Sequence, residues 1–454
     1  MNNPEEIIAA QRVARKLSLS GSIALALLGI VVAGLNAAQS HAITPAPRAA
    51  WMPGRSEDPI VIAGSQFPAF SGVPLSQLVL YAYRGGEWQA VPFQIDEVNI
   101  SGTYVISDGG LLDANDELVF MAGDAGDNVS AAFWPVDPPS RLYSRYAITV
   151  SDPLSAGQRA WAYLYRSMTL TRSHVSYVNW MQGLQTASAL SYTAAFSPTR
   201  FVGLSDLRLN GRNVDILDRQ KVRIELLGGL IKFNEEWLAS QGPATLTLPI
   251  TGPIRAASNE GTLRAAFYRS RIDFDVKFDL TGLGGILPDF IRTSFDWVSP
   301  TISGINRYYD SNTLAGAVID GVPETISATP RADWFQVNGG ATGPGGLVMT
   351  IPRVDPRGGT VINYYKDNSA IDPDDTGDHR SYGDSGLRIN GPFASPAIIS
   401  FTLMAYILPP GTDTNVGAAY FARAGHPLQA STTAQCYAPA GHCLTVYLPL
   451  ALKN

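Results

Sequence analysis

Arg271-Ile272-Asp273-Phe274-Asp275-Val276-Lys277-Phe278 alternates without a break between charged and apolar residues. Ile272, Phe274, Val276 and Phe278 share one side, and Arg271, Asp273, Asp275 and Lys277 share the other. Successive side chains of a strand point to opposite faces, so this pattern describes a strand with one face in a core and one in water. The charges on the wet face are placed either to pair across neighbouring strands or to stand solvated. The same period runs through Tyr143–Val150 and Ala160–Tyr165, and Leu78–Tyr83, the turn Arg84-Gly85-Gly86-Glu87 and Trp88–Ile95 read as a hairpin. Further strands are expected at Glu117–Met121, Leu207–Leu209, Val222–Leu226, Ala244–Leu248, Gly261–Phe278, Asp333–Val337, Gly346–Ile351, Thr360–Tyr365, Ile398–Leu408 and Leu444–Leu450. Met168–Tyr192 reads as a short helix or an excursion between domains. No long amphipathic helical stretch separates these runs, so the crossovers that parallel strands need are missing. The expected fold is all-β, built of antiparallel β-sandwich domains.

At 454 residues the chain exceeds the size of one ordinary core, which favours more than one domain. The expected division is an export signal at 1–42, a linker at 43–54, a small sandwich at 55–168, a larger one at 169–430, and a disulfide hairpin with tail at 431–454. Hydrophobic residues make up 45% and charged residues only 16%, a balance unsuited to disorder. The net charge of −6, with no long Lys/Arg run, removes the electrostatic footprint that a phosphate backbone requires, so nucleic acid is not an expected partner.

Arg12, Arg15 and Lys16 precede the apolar run Ile23–Leu35, and Ser40-His41-Ala42 offers a small-x-small cleavage site. The chain is therefore expected outside the cytoplasm or on the cell surface, touching a membrane only through this export signal. Cys436 and Cys443 are the only cysteines, and an oxidising compartment would pair them across a Pro-Ala-Gly turn. So small a loop stabilises by about 2 kcal/mol. A metal site through Cys436, His442 and Cys443 is the competing reading, without a visible fourth ligand or CxxC spacing.

Acidic side chains crowd the stretch Asp96–Asp127. Asp113, Asn115, Asp116, Asp124 and Asp127 supply the oxygen ligands that Ca²⁺ takes, although the spacing is not that of an EF-hand. The alternative is that Asp and Asn cap turns through backbone amides. The run Pro92-Phe93-Gln94-Ile95-Asp96-Glu97-Val98, followed by Asp113-Ala114-Asn115-Asp116-Glu117-Leu118-Val119-Phe120, resembles the N-terminal β domain of uncharacterised exported bacterial proteins. Gly252-Pro253-Ile254-Arg255 and Ala266-Phe267-Tyr268 fit the same group, which is similar to sandwich proteins of the polysaccharide lyase and mutarotase-like kind. The resemblance spans residues 55 to 410 and implies a sandwich fold, but brings no catalytic set with it.

A second polar cluster runs from Lys366 to Asp384. Within it His379, Arg380 and Tyr382 have the chemistry a sugar lyase needs, a base and a cation for the enolate, or the loop is simply solvated. No GxSxG elbow, Walker loop, Rossmann fingerprint or HExxH helix occurs. Trp88, Trp180, Trp237, Trp297, Tyr308, Tyr309 and Trp334 are candidates for stacking on sugar rings, or for the core. Together these features lead to the expectation of a secreted or cell-surface protein that binds a polysaccharide or surface glycan, with calcium as a structural ion. A lyase or hydrolase acting through the His379 region and a non-catalytic envelope component are the alternatives.

Overall fold

The computed structural model describes residues 52–199, 203–259, 263–279, 287–324, 326, 332–395 and 398–437. The expected export segment, Cys443 and the expected strand Leu444–Leu450 lie outside the described residues. Every strand pair among the described residues is antiparallel, and these residues form five sheets, so the all-β sandwich reading holds. No helix among them is long and apolar enough to cross a membrane.

The first sandwich packs a three-stranded sheet, in the order Pro59–Ala63, Glu117–Met121, Phe93–Asp96, against a five-stranded one. The latter runs Gln429–Gln435, Arg145–Ser151, Arg159–Arg166, Leu78–Arg84, Glu87–Ala90. Ile60, Ile62, Leu118 and Phe120 from one sheet meet Leu78, Leu80, Ile148, Val150 and Leu164 from the other in a single apolar cluster. Each such side chain, fully buried, contributes roughly 1.5–3 kcal/mol of transfer free energy. The expected strand Trp88–Ile95 is two strands in two sheets. Val91-Pro92 is where the chain crosses between layers, because Pro92 has no N–H to continue a ladder. The edge strand Gln429–Gln435 comes from the far end of the chain, so the boundary expected between 430 and 431 falls inside a strand.

The second sandwich sets a five-stranded sheet against a nine-stranded one, with a four-stranded sheet sharing their core. The five-stranded order is Ile231–Asn234, Leu217–Leu226, Pro288–Trp297, Ser381–Asn390, Thr360–Asn368. At the centre of the nine-stranded sheet, Arg271–Asp279 pairs with Ile398–Leu408, which pairs with Gly346–Asp355 and then Trp334–Asn338. Met168–Tyr192 does hold one short helix, a single 3₁₀ turn at Gln182–Leu184, but much of the rest is sheet. Val178–Met181 and Thr186–Ala189 lie there and continue into Tyr192–Phe196 and Leu204–Leu209 as the four-stranded meander. Ala244–Leu248 is irregular instead of extended in a sheet, although Leu246 and Leu248 are buried. A helix, Gly417–Gly425, packs on the outside of the nine-stranded sheet. Gly417 sits so close to Trp334 that an added Cβ would stand 2.0 Å from the indole, which is why no larger residue fits there.

Candidate functional site

The glutamine-aspartate motif joins the two sandwiches. Gln94 Oε1 accepts the backbone amides of Ile254 and Arg255 at 2.7 and 2.9 Å, and the Arg255 Nε donates to Asp96 Oδ2 at 2.6 Å. Glu117 takes the other arm of the same guanidinium. Arg255 and Asp96 are both buried. The two segments that carried the resemblance therefore meet in space as one docking joint, and Asp96 and Glu117 are spoken for by an arginine.

The residues expected at a calcium site divide between turns. Asp116 accepts the amides of Val98 and Asp113 at 3.2 and 2.9 Å, and Asp113 Oδ1 accepts the amide of Asn115 at 3.2 Å. Asn115 donates to the Val98 carbonyl. Asp124 receives the Tyr177 hydroxyl at 2.9 Å and faces Arg84 at 3.8 Å, and Asp127 is half-buried in the following turn. Among the described residues no group of three or more His, Cys, Asp or Glu side chains is placed to hold a metal ion. Burial pushes the Asp116 carboxyl up to about 6, against the pull of its two amide donors. The folded state thus holds this proton more firmly than the unfolded chain. The resulting contribution to stability is complete below 3.8 and is lost as pH rises through about 6. A carboxyl-carbon NMR titration of Asp116 is expected to show its midpoint near that value, and a midpoint in the ordinary Asp range would refute the assignment. Cys436 lies just after the edge strand, with its expected partner outside the described residues.

His379 and Arg380 are exposed, and His379 has a left-handed backbone (φ 62°) with Nδ1 2.8 Å from the Asp375 carbonyl. Tyr382 packs partly against the core. None of the three lines the grooves described below. Beneath them lies a buried cluster, of which the sequence reading had placed only Asp375 and Asp384, in the polar loop Lys366–Asp384. Ser381–Asn390 is in fact an inner strand, and its Asp384 points to the outer face of the five-stranded sheet together with Lys221 and Asp296 from the next two strands. The exposures of Lys221, Asp296 and Asp384 are 0%, 1% and 0%. Lys221 Nζ stands 2.6 Å from Asp296 Oδ2, 3.0 Å from Asp375 Oδ2 and 3.4 Å from the Arg380 carbonyl. Neither oxygen of Asp384 has a hydrogen-bond partner, and Arg292 comes no closer than 4.0 Å. Burial, then the neighbouring Asp384, hold the Asp296 carboxyl far above its usual range. Burial alone would depress the Lys221 ammonium, but Asp384, Asp296 and Asp375 raise it.

Of the aromatic candidates, Trp180, Trp297, Tyr308 and Trp334 are buried, and Trp237 is exposed at 44%. Trp88 is already occupied. With Trp134, Tyr163 and Tyr165 it surrounds the guanidinium of Arg145, which lies 4.5 Å from the Tyr163 ring centre and 5.6 Å from that of Trp88. Arg145 also donates to the carbonyls of Phe133 and Ser130, to Tyr165 Oη and to Gln435 Oε1, all within 2.8–2.9 Å.

The wet face of Arg271–Phe278 has two fates. At one end Arg271 ion-pairs with Asp273 at 2.7 Å and lies over Tyr268 and Tyr406. At the other end the face opens into a groove of about 770 Å³. Arg264, Asp275, Thr402 and Arg353 stand opposite one another across four strands, and Lys277, Ser400 and Asp355 form the next row. A bulge between Thr350 and Arg353 breaks the ladder beside these rows, as bulges do where a sheet bends. Asp333 and the ring of Phe421 complete the walls. Arg264, Asp275, Lys277, Arg353 and Asp355 are exposed, and Thr402 Oγ1 donates to Asp275 at 2.5 Å. A second cavity, about 270 Å³ and mainly apolar, opens between the sheets near Phe196, Leu263, Phe274 and Phe401.

No protein-family model matches the chain, and no curated protein matches it.

Proposed function

We propose that the chain is a secreted or cell-surface carbohydrate-binding protein whose ligand lies across the groove on the nine-stranded sheet. The observation that carries this reading is the pair of cross-strand rows Arg264–Asp275–Thr402–Arg353 and Lys277–Ser400–Asp355. Sugar hydroxyls both donate and accept, and a floor that alternates cations, carboxylates and hydroxyls meets them in both roles. Phe421 supplies an apolar wall for a ring face. The shallow, open shape suits a chain laid along the sheet better than a small molecule sealed inside it. Export is part of the reading and rests on the basic, apolar and small-residue order of residues 1–42.

A glycan array with the protein tests it, run once with calcium and once with a chelator. Binding to at least one polysaccharide class is expected, and a Lys277→Ala/Arg353→Ala double variant should lose it by roughly tenfold or more, as two charge-assisted hydrogen bonds disappear. Its melting temperature should stay close to that of the parent, because both side chains are exposed. Silence across all glycans, or undiminished binding by the double variant, refutes the groove assignment. Unchanged binding and stability in chelator would remove calcium from the reading.

A further inference from the structure

We infer that Lys221 and Asp296 join through their side chains into an intramolecular amide, a covalent cross-link between adjacent strands of the five-stranded sheet that the chain forms by itself. The two reacting groups sit on neighbouring strands, face the same way, and touch at 2.6 Å in a site from which water is excluded. Holding reactants in contact replaces a bimolecular encounter, an advantage worth up to about 10⁵–10⁸ M in effective concentration. In water an ammonium and a carboxylic acid do not condense at useful rates. Here both groups are already withdrawn from solvent.

Asp384 supplies the missing base. A buried carboxylate with no hydrogen bond on either oxygen is costly to leave without a proton or a partner, and this one flanks Asp296 on the next strand. The step balances without any cofactor. Asp384 takes one proton from the Lys221 ammonium, leaving a neutral amine whose lone pair attacks the carboxyl carbon of Asp296. The C–N bond forms, the C–OH bond breaks, and the hydroxyl departs as water with the second amine proton. One amide, one water and one protonated Asp384 remain. The product also repairs the site, since the new N–H and C=O offer Asp384 the partners it lacks.

Asp375 is the competing contact of Lys221, at 3.0 Å. Although burial acts to raise it, Lys221, its own amide bonds and Lys366 hold Asp375 below the usual carboxylate range, so it stays ionised and is a poor acylating group. Asp296, whose carboxyl burial and then Asp384 hold far above its usual range, is the electrophile.

Intact-mass measurement of the reduced full chain tests the inference. Wild type is expected to weigh one water less than its sequence when both are referred to the Lys221→Arg variant, which should show no loss. Digestion should yield a branched peptide that joins the segments around Lys221 and Asp296. Asp384→Asn should fold, by circular dichroism, and retain the full mass. A wild-type mass with no water missing overturns the cross-link. So does a loss that persists in Lys221→Arg, which would mark a cyclised aspartate instead. Complete cross-linking in Asp384→Asn would overturn the role of the base.

Discussion

Replacing Arg145 with alanine is expected to destabilise the first sandwich by about 3–5 kcal/mol, the sum of stranded acceptors and lost ring contacts. The guanidinium is wholly buried and is held by carbonyls, a phenol and an amide oxygen within a ring of four aromatic side chains. Its removal leaves the Phe133 and Ser130 carbonyls without their donors and empties the box of Trp88, Trp134, Tyr163 and Tyr165. Denaturant unfolding followed by tryptophan fluorescence reports on this directly, because two of the four rings are indoles. Arg145→Lys should recover only part of the loss, since an ammonium has the charge but not the planar fork. A change below about 1 kcal/mol for the alanine variant would mean the box is filled by something other than this cation.

The second large effect is expected at the joint. Arg255→Ala should cost about 3–5 kcal/mol at neutral pH, because Asp96 stays buried without its counter-charge. Burial already raises the Asp96 carboxyl, and Arg255 opposes that rise. With the arginine gone the carboxyl rises further, so the folded variant gains from protonation and the deficit should shrink as the medium becomes acidic. The sign is decisive: a raised carboxyl gives stability at low pH that fades as pH increases. Adding Asp96→Asn to Arg255→Ala should restore part of the loss, giving a non-additive double-mutant cycle. Additive losses would show that the two side chains act separately.

The alternation in Arg271–Phe278 and its relatives was enough to foresee antiparallel sandwiches, because period two survives whatever a strand packs against. What it could not foresee was coverage. Lys221 and Arg271 both lie on faces that the alternation marks as wet, yet the segment carrying Asp375 and Thr376 approaches one, and Tyr406 and Tyr268 flank the other. Ser381–Asn390 was missed as a strand because Gly383, Asp384, Ser385 and Gly386 have poor intrinsic preference for it, and pairing on both sides overrides them. An added Cβ at Gly386 would stand 2.2 Å from the Thr293 carbonyl, so that glycine serves close strand approach. The split at Val91-Pro92 did carry a local signal, the proline itself. The meeting of Lys221, Asp296 and Asp384 carried none, for Lys221 and Asp296 are 75 residues apart and only sheet order unites them. The groove rows were half visible, in that Asp275 and Lys277 were placed on the outer side while Thr402 and Arg353 depend on register.

Arg145 and Gln435, which hydrogen-bond across the edge of the first sandwich, are 290 residues apart. Until Gln429–Gln435 arrives, Arg145–Ser151 presents an unpaired margin to whatever is nearby, the condition that invites association between chains. Synthesis therefore delivers the opening half of the molecule long before the strip that seals it. Such distant closure slows completion of the native state and keeps the emerging polypeptide loose until its last strand arrives.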